Sequence, residues 1–381
     1  MTPYLHAKLL AVRRRLSHAV GRKFDPFPPP PQGLALSPSQ AHFAAYERAL
    51  LELGWDRAGL DDPMAWQREA RGKLVELMGF SPLGPGVEAR HLRDHELPGG
   101  LRRKSFYLAA GPGNDIPVCL VWRENSPWPR PAMICLQGTN SGMHLSWGEA
   151  RMPADPIKVA NGGDFALQAA ARGYLAVCVE QRGFGERAER HIRGTSLGSC
   201  GTAANHALML GATLLGERAA DVSTVVGWLV ENAETAGVTP AAIHVMGHSS
   251  GGSTALFASA LDQRIAGVLA CGCVGFIRET IARRAIPEGQ NTIPGILDWL
   301  EMDDIVALCA PRPFLTVAGR SDHIWPFSQA EAVIASARRA YDALGASARV
   351  GALAGPGGHR FYPEIAWDAY AQLCGSKGDA D

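Results

Sequence analysis

Residues 242–261, AIHVMGHSSGGSTALFASAL, decide the fold of this chain. The apolar run 242–246 predicts a strand, and the apolar segment from Ser250 to about residue 261 predicts a helix. Between them lies GHSSG (247–251), a G-x-S-x-G turn. Such a turn is so tight that its flanks must be glycine, and it leaves a serine hydroxyl exposed above the N-terminus of the helix. Ser249 is therefore the candidate nucleophile.

Outward from this turn, strands and helices alternate. Three closely spaced apolar runs at 87–97, 101–109 and 116–122 predict an antiparallel beginning to the sheet. Later strands are predicted at 132–136, 174–180, 242–246, 265–271, 314–318 and 349–353. Helices are predicted at 164–172, 218–231, 250–261, after Pro363, and at 328–344, the last opened by a capping box from Ser328 to Glu331. This alternation predicts an α/β fold, with a mostly parallel sheet and helices on both faces.

The organisation along the chain follows from composition. Residues 1–85 are predicted to form an N-terminal helical extension that contains the proline-rich segment FDPFPPPP (24–31) and packs on the main domain. Residues 86–381 are predicted to form the catalytic domain. Two insertions, at about 187–216 and 274–302, are expected over the carboxyl ends of the strands. The second is either a small apolar lid or a piece that completes the core.

A serine hydroxyl needs a base to accept its proton and an acid to orient that base. The predicted strand 314–318 runs into Gly-Arg-Ser-Asp322, and the strand 349–353 runs into a small-residue loop that ends at His359. Asp322 and His359 thus follow Ser249 in the order serine, acid, histidine, each after its own strand. We predict these three residues to be the catalytic triad.

An oxyanion formed at the attacked carbonyl needs two backbone N–H donors. The amide of Ser250 is one candidate, and Thr139, in the loop after strand 132–136, is the other, with Asn140 as its neighbouring alternative. Pocket walls are predicted from side chains on the surrounding loops: Gln137, Asn140, Trp147, His248, Phe276, Trp299 and Trp325.

Composition excludes several function classes. The 37 basic and 37 acidic residues give zero formal net charge, so binding to nucleic acid or to an anionic membrane through bulk charge is not expected. We see no apolar run of bilayer length and, at the N-terminus, no apolar core of a secretory signal. The eight cysteines are scattered without metal-ligand spacing, which favours a cytoplasmic protein without a metal site. No G-x-G-x-x-G fingerprint suggests a nicotinamide cofactor.

With these residues in view, the chain resembles the α/β-hydrolase superfamily, and within it the branch of acetyl-xylan-esterase-like and dienelactone-hydrolase-related proteins. Besides the triad, the resemblance includes EQRGFGE (180–186), LGER (215–218), EMDDI (301–305) and APRP (310–313). It implies an eight-stranded fold and cofactor-independent hydrolysis of carboxylic esters by Ser249, Asp322 and His359. Many relatives carry His-Gly at the oxyanion loop, where this chain has Gln137-Gly138, so the side-chain contacts of that loop stay open.

The expected function is therefore hydrolysis of a small-molecule ester through an acyl-enzyme, without a cofactor. The same fold and triad could serve an amidase, a carbon–carbon bond hydrolase or an acyltransferase, which the sequence does not separate. A non-catalytic binding module is disfavoured because all three triad residues are present. The sequence leaves open whether the N-terminal helices support a homodimer or fold back on their own subunit.

Overall fold

A computed structural model describes residues 2–21, 24–59, 61–139, 141–190, 198–283 and 289–375. The chain divides into two compact units, one that ends at Arg48 and one that begins at Ala49. The first unit contains two helices, α1 (Pro3–Ala19) and α2 (Pro38–Arg48). Pro3 occupies the first turn of α1, where its missing N–H costs nothing, and the Thr2 side chain accepts the N–H of Leu5. All residues of both helices are exposed or half-buried.

The boundary expected at residues 85 and 86 falls inside the second unit. The reason is the helix Pro63–Met78, whose side chains Trp66, Ala70, Leu74 and Met78 repeat at helical spacing and are all buried in the main core. That apolar face makes the helix part of the larger unit rather than of a separate extension.

The described residues of the second unit form a nine-stranded sheet, so the expected count of eight is wrong. Its strands are β1 (Ala89–Leu97), β2 (Leu101–Leu108), β3 (Ile116–Arg123), β4 (Arg130–Leu136), β5 (Leu175–Val179), β6 (Val238–His248), β7 (Gly267–Cys271), β8 (Phe314–Gly319) and β9 (Val350–Gly355). Their order is β1-β2-β3-β5-β4-β6-β7-β8-β9. The pairs β1–β2, β2–β3 and β3–β5 are antiparallel. The other five neighbouring pairs, from β5–β4 to β8–β9, are parallel. The mostly parallel sheet with an antiparallel beginning is confirmed.

Helices surround the sheet. In chain order they are α3 (Trp55–Ala58), α4 (Pro63–Met78), α5 (Asp155–Lys158), α6 (Phe165–Ala171), α7 (Gly198–Met209), α8 (Leu214–Glu231), α9 (Ala233–Ala236), α10 (Ser250–Leu261), α11 (Ile296–Trp299), α12 (Met302–Ala307), α13 (Phe327–Ala343) and α14 (Pro363–Gly375). The predicted capping box at Ser328 is wrong, because α13 begins one residue earlier, after Pro326, and has no side-chain cap. Within the described ranges, no helix is both long and apolar enough to cross a membrane.

Two hydrophobic clusters cover the two faces of the sheet. On β4, Ile134 belongs to the larger cluster, whereas Met133 and Cys135 belong to the second. This division follows from the strand, in which successive side chains point to opposite faces. Because β6, β8 and β9 run parallel, their carboxyl ends lie at one edge, where the loops that carry Ser249, Asp322 and His359 begin.

Candidate active site

Ser249 is the single residue between β6 and α10, and its backbone is strained. Its φ of 56° and ψ of −125° lie where side chains are rarely tolerated. Such strain costs about 1–3 kcal/mol and persists only where the surrounding structure imposes it. One restraint is the Ser249 N–H, which donates to the Cys271 carbonyl at 2.8 Å. The sequence-predicted turn between strand and helix is therefore present at this position.

The flanking glycines are required by close backbone packing. A Cβ at position 247 would lie 2.3 Å from the carbonyl carbon of Gly251. A Cβ at position 251 would lie 2.2 Å from the carbonyl oxygen of Leu136 and 2.6 Å from that of Gln137. Real Cβ atoms do not approach backbone atoms this closely, so Gly247 allows the tight turn from β6 into α10, and Gly251 allows α10 to lie close to the end of β4.

Asp322 and His359 are joined directly. His359 Nδ1 and Asp322 Oδ2 are 2.7 Å apart, and Asp322 Oδ1 accepts the backbone N–H groups of Ile324 (2.8 Å) and Trp325 (2.9 Å). Burial acts to raise the pKa of Asp322, but the hydrogen bond and charge of His359, with the two backbone donors, hold it below its ordinary value. Asp322 therefore stays ionised and accepts a hydrogen bond from Nδ1.

Ser249 and His359 face the same cavity, which has a volume of about 370 Å³. Both residues are half-buried, so the hydroxyl is accessible from this cavity. Among the described contacts, Ser249 Oγ makes no hydrogen bond to His359, whereas the bond from His359 to Asp322 is formed. In structures without substrate, hydrogen bonds between a nucleophile and its base are often long. The arrangement thus brings the three predicted side chains to one site with one of the two triad hydrogen bonds in place.

His248 lines this cavity, as predicted. The centre of its ring lies 4.6 Å from that of His359, with the two planes tilted by 43°, and its Nε2 is buried without a hydrogen-bond partner among the described residues. Burial, followed by the repulsion of His359, lowers the pKa of His248 to about 3. His248 is therefore neutral at physiological pH and adds no positive charge beside His359.

The predicted oxyanion loop lies against the nucleophile. A Cβ on Gly138 would lie 3.3 Å from Ser249 Cβ, so the backbone of residues 137–139 passes beside Ser249. The Ser250 N–H stands at the first turn of α10, where amides have no partner within the helix. Gln137 and Thr139 line the cavity as expected. Asn140 lies outside the described residues.

The structure shows which side-chain contacts Gln137 makes in the predicted oxyanion loop, a point that the sequence left open. Its Nε2 donates to Ser146 Oγ (2.7 Å) and to the Gly163 carbonyl (2.8 Å), so it holds the loop from behind. Gln181, within EQRGFGE, donates to the Gln137 carbonyl at 2.6 Å. This motif therefore supports the oxyanion loop.

Trp325 lines the cavity as predicted, but three other expected walls do not. Among the described lining residues, Trp147, Phe276 and Trp299 are absent. Trp147 is turned toward Glu149, to which its Nε1 donates at 2.8 Å. Phe276 and Trp299 pack against the main hydrophobic core, which offers more apolar contact than the cavity rim.

The two insertions differ in the hydrophobic cluster that their apolar side chains join. In 187–216, Cys200, Ala204 and Leu214 form a small cluster with Phe184, and residues 191–197 lie outside the described part. In 274–302, the apolar side chains Val274, Ile277, Ile293, Ile296 and Leu300 join the main core, and residues 284–288 are outside the described part. This supports the core-completing alternative for the second insertion. Its polar residues Gln290 and Asn291 line the cavity.

Several site residues were not singled out from the sequence. Lys158, Asn161, Gln290, Asn291, Arg360 and Phe361 line the cavity. A further missed residue, Arg218, lies behind the cavity and donates to Ser250 Oγ at 2.9 Å. The sequence does mark Arg218, because it lies on the same helical face as Val222, Val225 and Leu229. A charged residue on such an apolar, core-facing side is unusual.

Within the described residues, no group of three or more His, Cys, Asp or Glu side chains is arranged to hold a metal ion. The closely spaced cysteines at 271 and 273 are both buried, and neither is in a disulfide. Burial raises the pKa of both thiols well above the ordinary value.

Solved structures with the same fold are numerous. One is a protein from Bacteroides fragilis provisionally assigned as an acetyl xylan esterase, with 20% identity and a TM-score of 0.66, covering 89% of this chain and 86% of the other. A glucuronoyl esterase from Solibacter usitatus has 15% identity and a TM-score of 0.60 (83% and 94% covered). A glucuronoyl esterase of carbohydrate esterase family 15 from Teredinibacter turnerae has 18% identity and a TM-score of 0.60 (94% and 97% covered). At these identities, the likeness establishes the α/β-hydrolase fold.

No curated protein sequence matches the chain. A sequence profile, in contrast, matches residues 55–341, which include Ser249 and Asp322, and it describes the Abhydrolase family. This match covers well over half of the chain, and it agrees with the nine-stranded sheet and the strained serine turn. The chain belongs to the Abhydrolase family of α/β-hydrolase-fold proteins.

Proposed function

We propose that this protein is a serine hydrolase that cleaves carboxylic esters through an acyl-enzyme intermediate. The observation that carries the proposal is the shared cavity: Ser249, on its strained turn, faces the same space as His359, whose Nδ1 is bonded to Asp322 at 2.7 Å. A neutral imidazole oriented by a buried carboxylate is the base that a serine hydroxyl requires.

The reaction proceeds in two halves. Ser249 Oγ attacks the ester carbonyl while its proton passes to His359 Nε2, and the tetrahedral intermediate forms. The bond to the alcohol oxygen then breaks, and His359 returns the proton to that oxygen, which releases the alcohol. Water next attacks the acyl-enzyme, gives a proton to His359, and the acid leaves as Ser249 is reprotonated. Asp322 keeps the proton on Nδ1, so that Nε2 is free to act as the base.

The N–H groups of Ser250 and Thr139 are assigned to the oxyanion. Support comes from the position of the 137–139 loop beside Ser249 and from the place of the Ser250 amide in the first turn of α10, where a helix offers it no acceptor of its own. Both donors belong to backbone fixed by close glycine contacts. Donors held in place before the reaction stabilise developing charge without reorganisation.

For the substrate, we propose a small ester that carries hydroxyl groups. The three solved structures reported above are described as acetyl xylan or glucuronoyl esterases, which act on esters of carbohydrates. In this chain, Asn291 is buried at the cavity and its Oδ1 lacks a hydrogen-bond partner among the described residues. The side-chain amide of Asn291 therefore places a polar group next to the cavity, which favours a substrate with hydroxyl groups over a wholly apolar one. The volume of about 370 Å³ suits a small molecule.

The test combines Ser249→Ala with a matched control in the adjoining helix α10, Ser259→Ala, whose hydroxyl donates to the Ala255 carbonyl at 2.8 Å. We expect S249A to lower kcat for ester hydrolysis by about 10⁶-fold and to abolish labelling by a fluorophosphonate probe, while S259A stays near wild type. Parallel assays with amide and 1,3-dicarbonyl substrates, and with an added acyl acceptor, separate esterase activity from that of an amidase, carbon–carbon hydrolase or acyltransferase. Near-normal ester turnover by folded S249A would overturn the proposal.

A further inference from the structure

Arg218 is a fully buried cation directly behind the predicted oxyanion hole. It lies in the first half of α8, is 1% exposed, and its guanidinium stacks 4.4 Å from the centre of the Phe184 ring. Its Nε and Nη2 both donate to the Arg182 carbonyl, at 2.9 and 2.6 Å, and Nη2 also contacts Cys200 Sγ at 3.3 Å. These contacts hold one side of the guanidinium in place.

Within the described residues, no carboxylate forms an ion pair with Arg218. In the described part of the chain, the nearby acids are bound by other arginines: Asp221 pairs with Arg182 and Arg187, and Glu217 pairs with Arg182. Burial lowers the pKa of Arg218, but a guanidinium stays protonated in proteins. A buried charge without a direct counter-ion is costly, and its retention needs a reason beyond packing.

The remaining nitrogen points toward the site. Arg218 Nη1 donates to Ser250 Oγ (2.9 Å) and to Gln290 Oε1 (3.0 Å), and Ser250 Oγ donates to the same Gln290 oxygen at 3.0 Å. Gln290 Nε2 then donates to Thr139 Oγ1 at 3.0 Å. Arg218 is thereby linked to both residues whose N–H groups are assigned to the oxyanion, one directly and the other through Gln290.

We propose that Arg218 is a positioning residue for the oxyanion hole: through Ser250 and Gln290 it fixes the two backbone donors, and its buried charge favours the negative oxygen of the tetrahedral intermediate. The inference rests on the proposed ester hydrolysis at Ser249. In the ground state the carbonyl is nearly neutral, whereas the intermediate carries a full negative charge. Arg218 should therefore act mainly on kcat, because its charge interacts more strongly with the intermediate than with bound substrate.

The test uses two substitutions at Arg218 and two in the connecting network. Arg218→Lys keeps a charge but loses the fork of donors, and Arg218→Gln also removes the charge. Ser250→Ala and Gln290→Ala break the links while leaving Arg218 in place. The matched control is Arg312→Lys, because that guanidinium also bonds to backbone carbonyls, those of Cys309, Asp262 and Ser259 among them, and Arg312 is not among the lining residues of the cavity.

Each variant is measured for kcat, KM and the Ki of a trifluoromethyl ketone, which forms a tetrahedral oxyanion adduct on an active-site serine. We expect kcat to fall by about 10²–10³-fold in R218Q, the range for loss of one oxyanion donor, and by about tenfold in R218K, S250A and Q290A. KM should change less than threefold. The Ki should weaken in proportion to the fall in kcat/KM, which a purely structural defect would not produce. R312K should retain wild-type kcat and Ki.

The outcomes separate this inference from the function on which it rests. If wild-type protein hydrolyses no ester and forms no ketone adduct, the proposed function fails. If wild type does both, but folded R218K and R218Q match R312K in kcat and Ki, the role of Arg218 is refuted. A fall in kcat/KM with unchanged Ki refutes it too. Should the Arg218 variants not fold, S250A and Q290A decide: wild-type kcat and Ki in both would refute the network.

Discussion

Asp322→Asn tests the predicted triad most directly, because the structure fixes how the new amide would be oriented. Asp322 Oδ1 accepts two backbone N–H groups, from Ile324 and Trp325. In the variant, the amide oxygen must keep these bonds, since turning the amide over would set its NH₂ against both donors. Each buried donor left without an acceptor costs about 1–3 kcal/mol. The NH₂ group therefore faces His359.

That orientation inverts the tautomer of the imidazole. His359 Nδ1 would accept a hydrogen bond from the NH₂ of the new amide instead of donating one, so its proton would move to Nε2. An Nε2 that carries a proton cannot accept the proton of Ser249. Comparable inversions cost about 10⁴-fold in kcat, which is about 5 kcal/mol of transition-state free energy. We expect this loss with KM little changed, because the cavity wall keeps its shape.

The assay is steady-state hydrolysis of a short-chain aryl ester, with folding checked by circular dichroism and thermal unfolding. The control is Asp262→Asn, another buried carboxylate, which accepts from Ser223 Oγ and Arg264 Nη2, both at 2.6 Å, and is not among the cavity-lining residues. D262N should lose stability but keep kcat per folded molecule. Folded D322N that retains more than a tenth of wild-type kcat would refute the assigned role of Asp322.

Three further predictions address the turn, a buried acid and the core. Gly251→Ala should lower kcat by about 100-fold with measurable destabilisation, because its Cβ would push α10 away from the Leu136 and Gln137 carbonyls; wild-type kinetics would contradict this. Burial raises the pKa of Glu180 to about 7 from 4.5, so the folded state binds an extra proton, and the free energy of unfolding should fall by about 3 kcal/mol as pH rises from 4.5 to 7. Urea unfolding at both pH values should show this fall in the wild type and not in Glu180→Gln. The same fall in both proteins would count against the prediction. Leu74→Ala, at a fully buried site on α4, should cost about 2–5 kcal/mol in denaturant unfolding and leave kcat per folded molecule unchanged.

Local signals in the chain were sufficient for the strands, the serine turn and the order of the candidate triad. Backbone rules act over a few residues, so GHSSG after an apolar run has few ways to fold, and α10 begins where the sequence indicates. The same rules predicted β8 and β9 closely enough to place Asp322 and His359 on neighbouring loops. The helix α4 falls within the N-terminal helical extension that the sequence indicated, although the sequence did not show to which unit that helix belongs.

The surfaces against which side chains pack were less predictable than the strands and helices. Trp299 and Phe276 lie in an insertion near the site by sequence, yet both pack against the core. Their burial depends on surfaces supplied by distant segments, which no local pattern contains. The capping box at Ser328 failed for a related reason: α13 begins after Pro326, and the loop that holds Asp322 sets that start.

The sequence by itself determined the alternating α/β order, the strained serine between two obligatory glycines, and an acid and a histidine in the required succession, because these depend on local backbone sterics and strand direction. Only the tertiary structure decided that His359 is hydrogen-bonded to Asp322, that the His248 ring lies against the His359 ring, and that Arg218 on another helix donates to Ser250. Such contacts join residues from separate elements, so they exist only once the elements have packed and water has been excluded from between them.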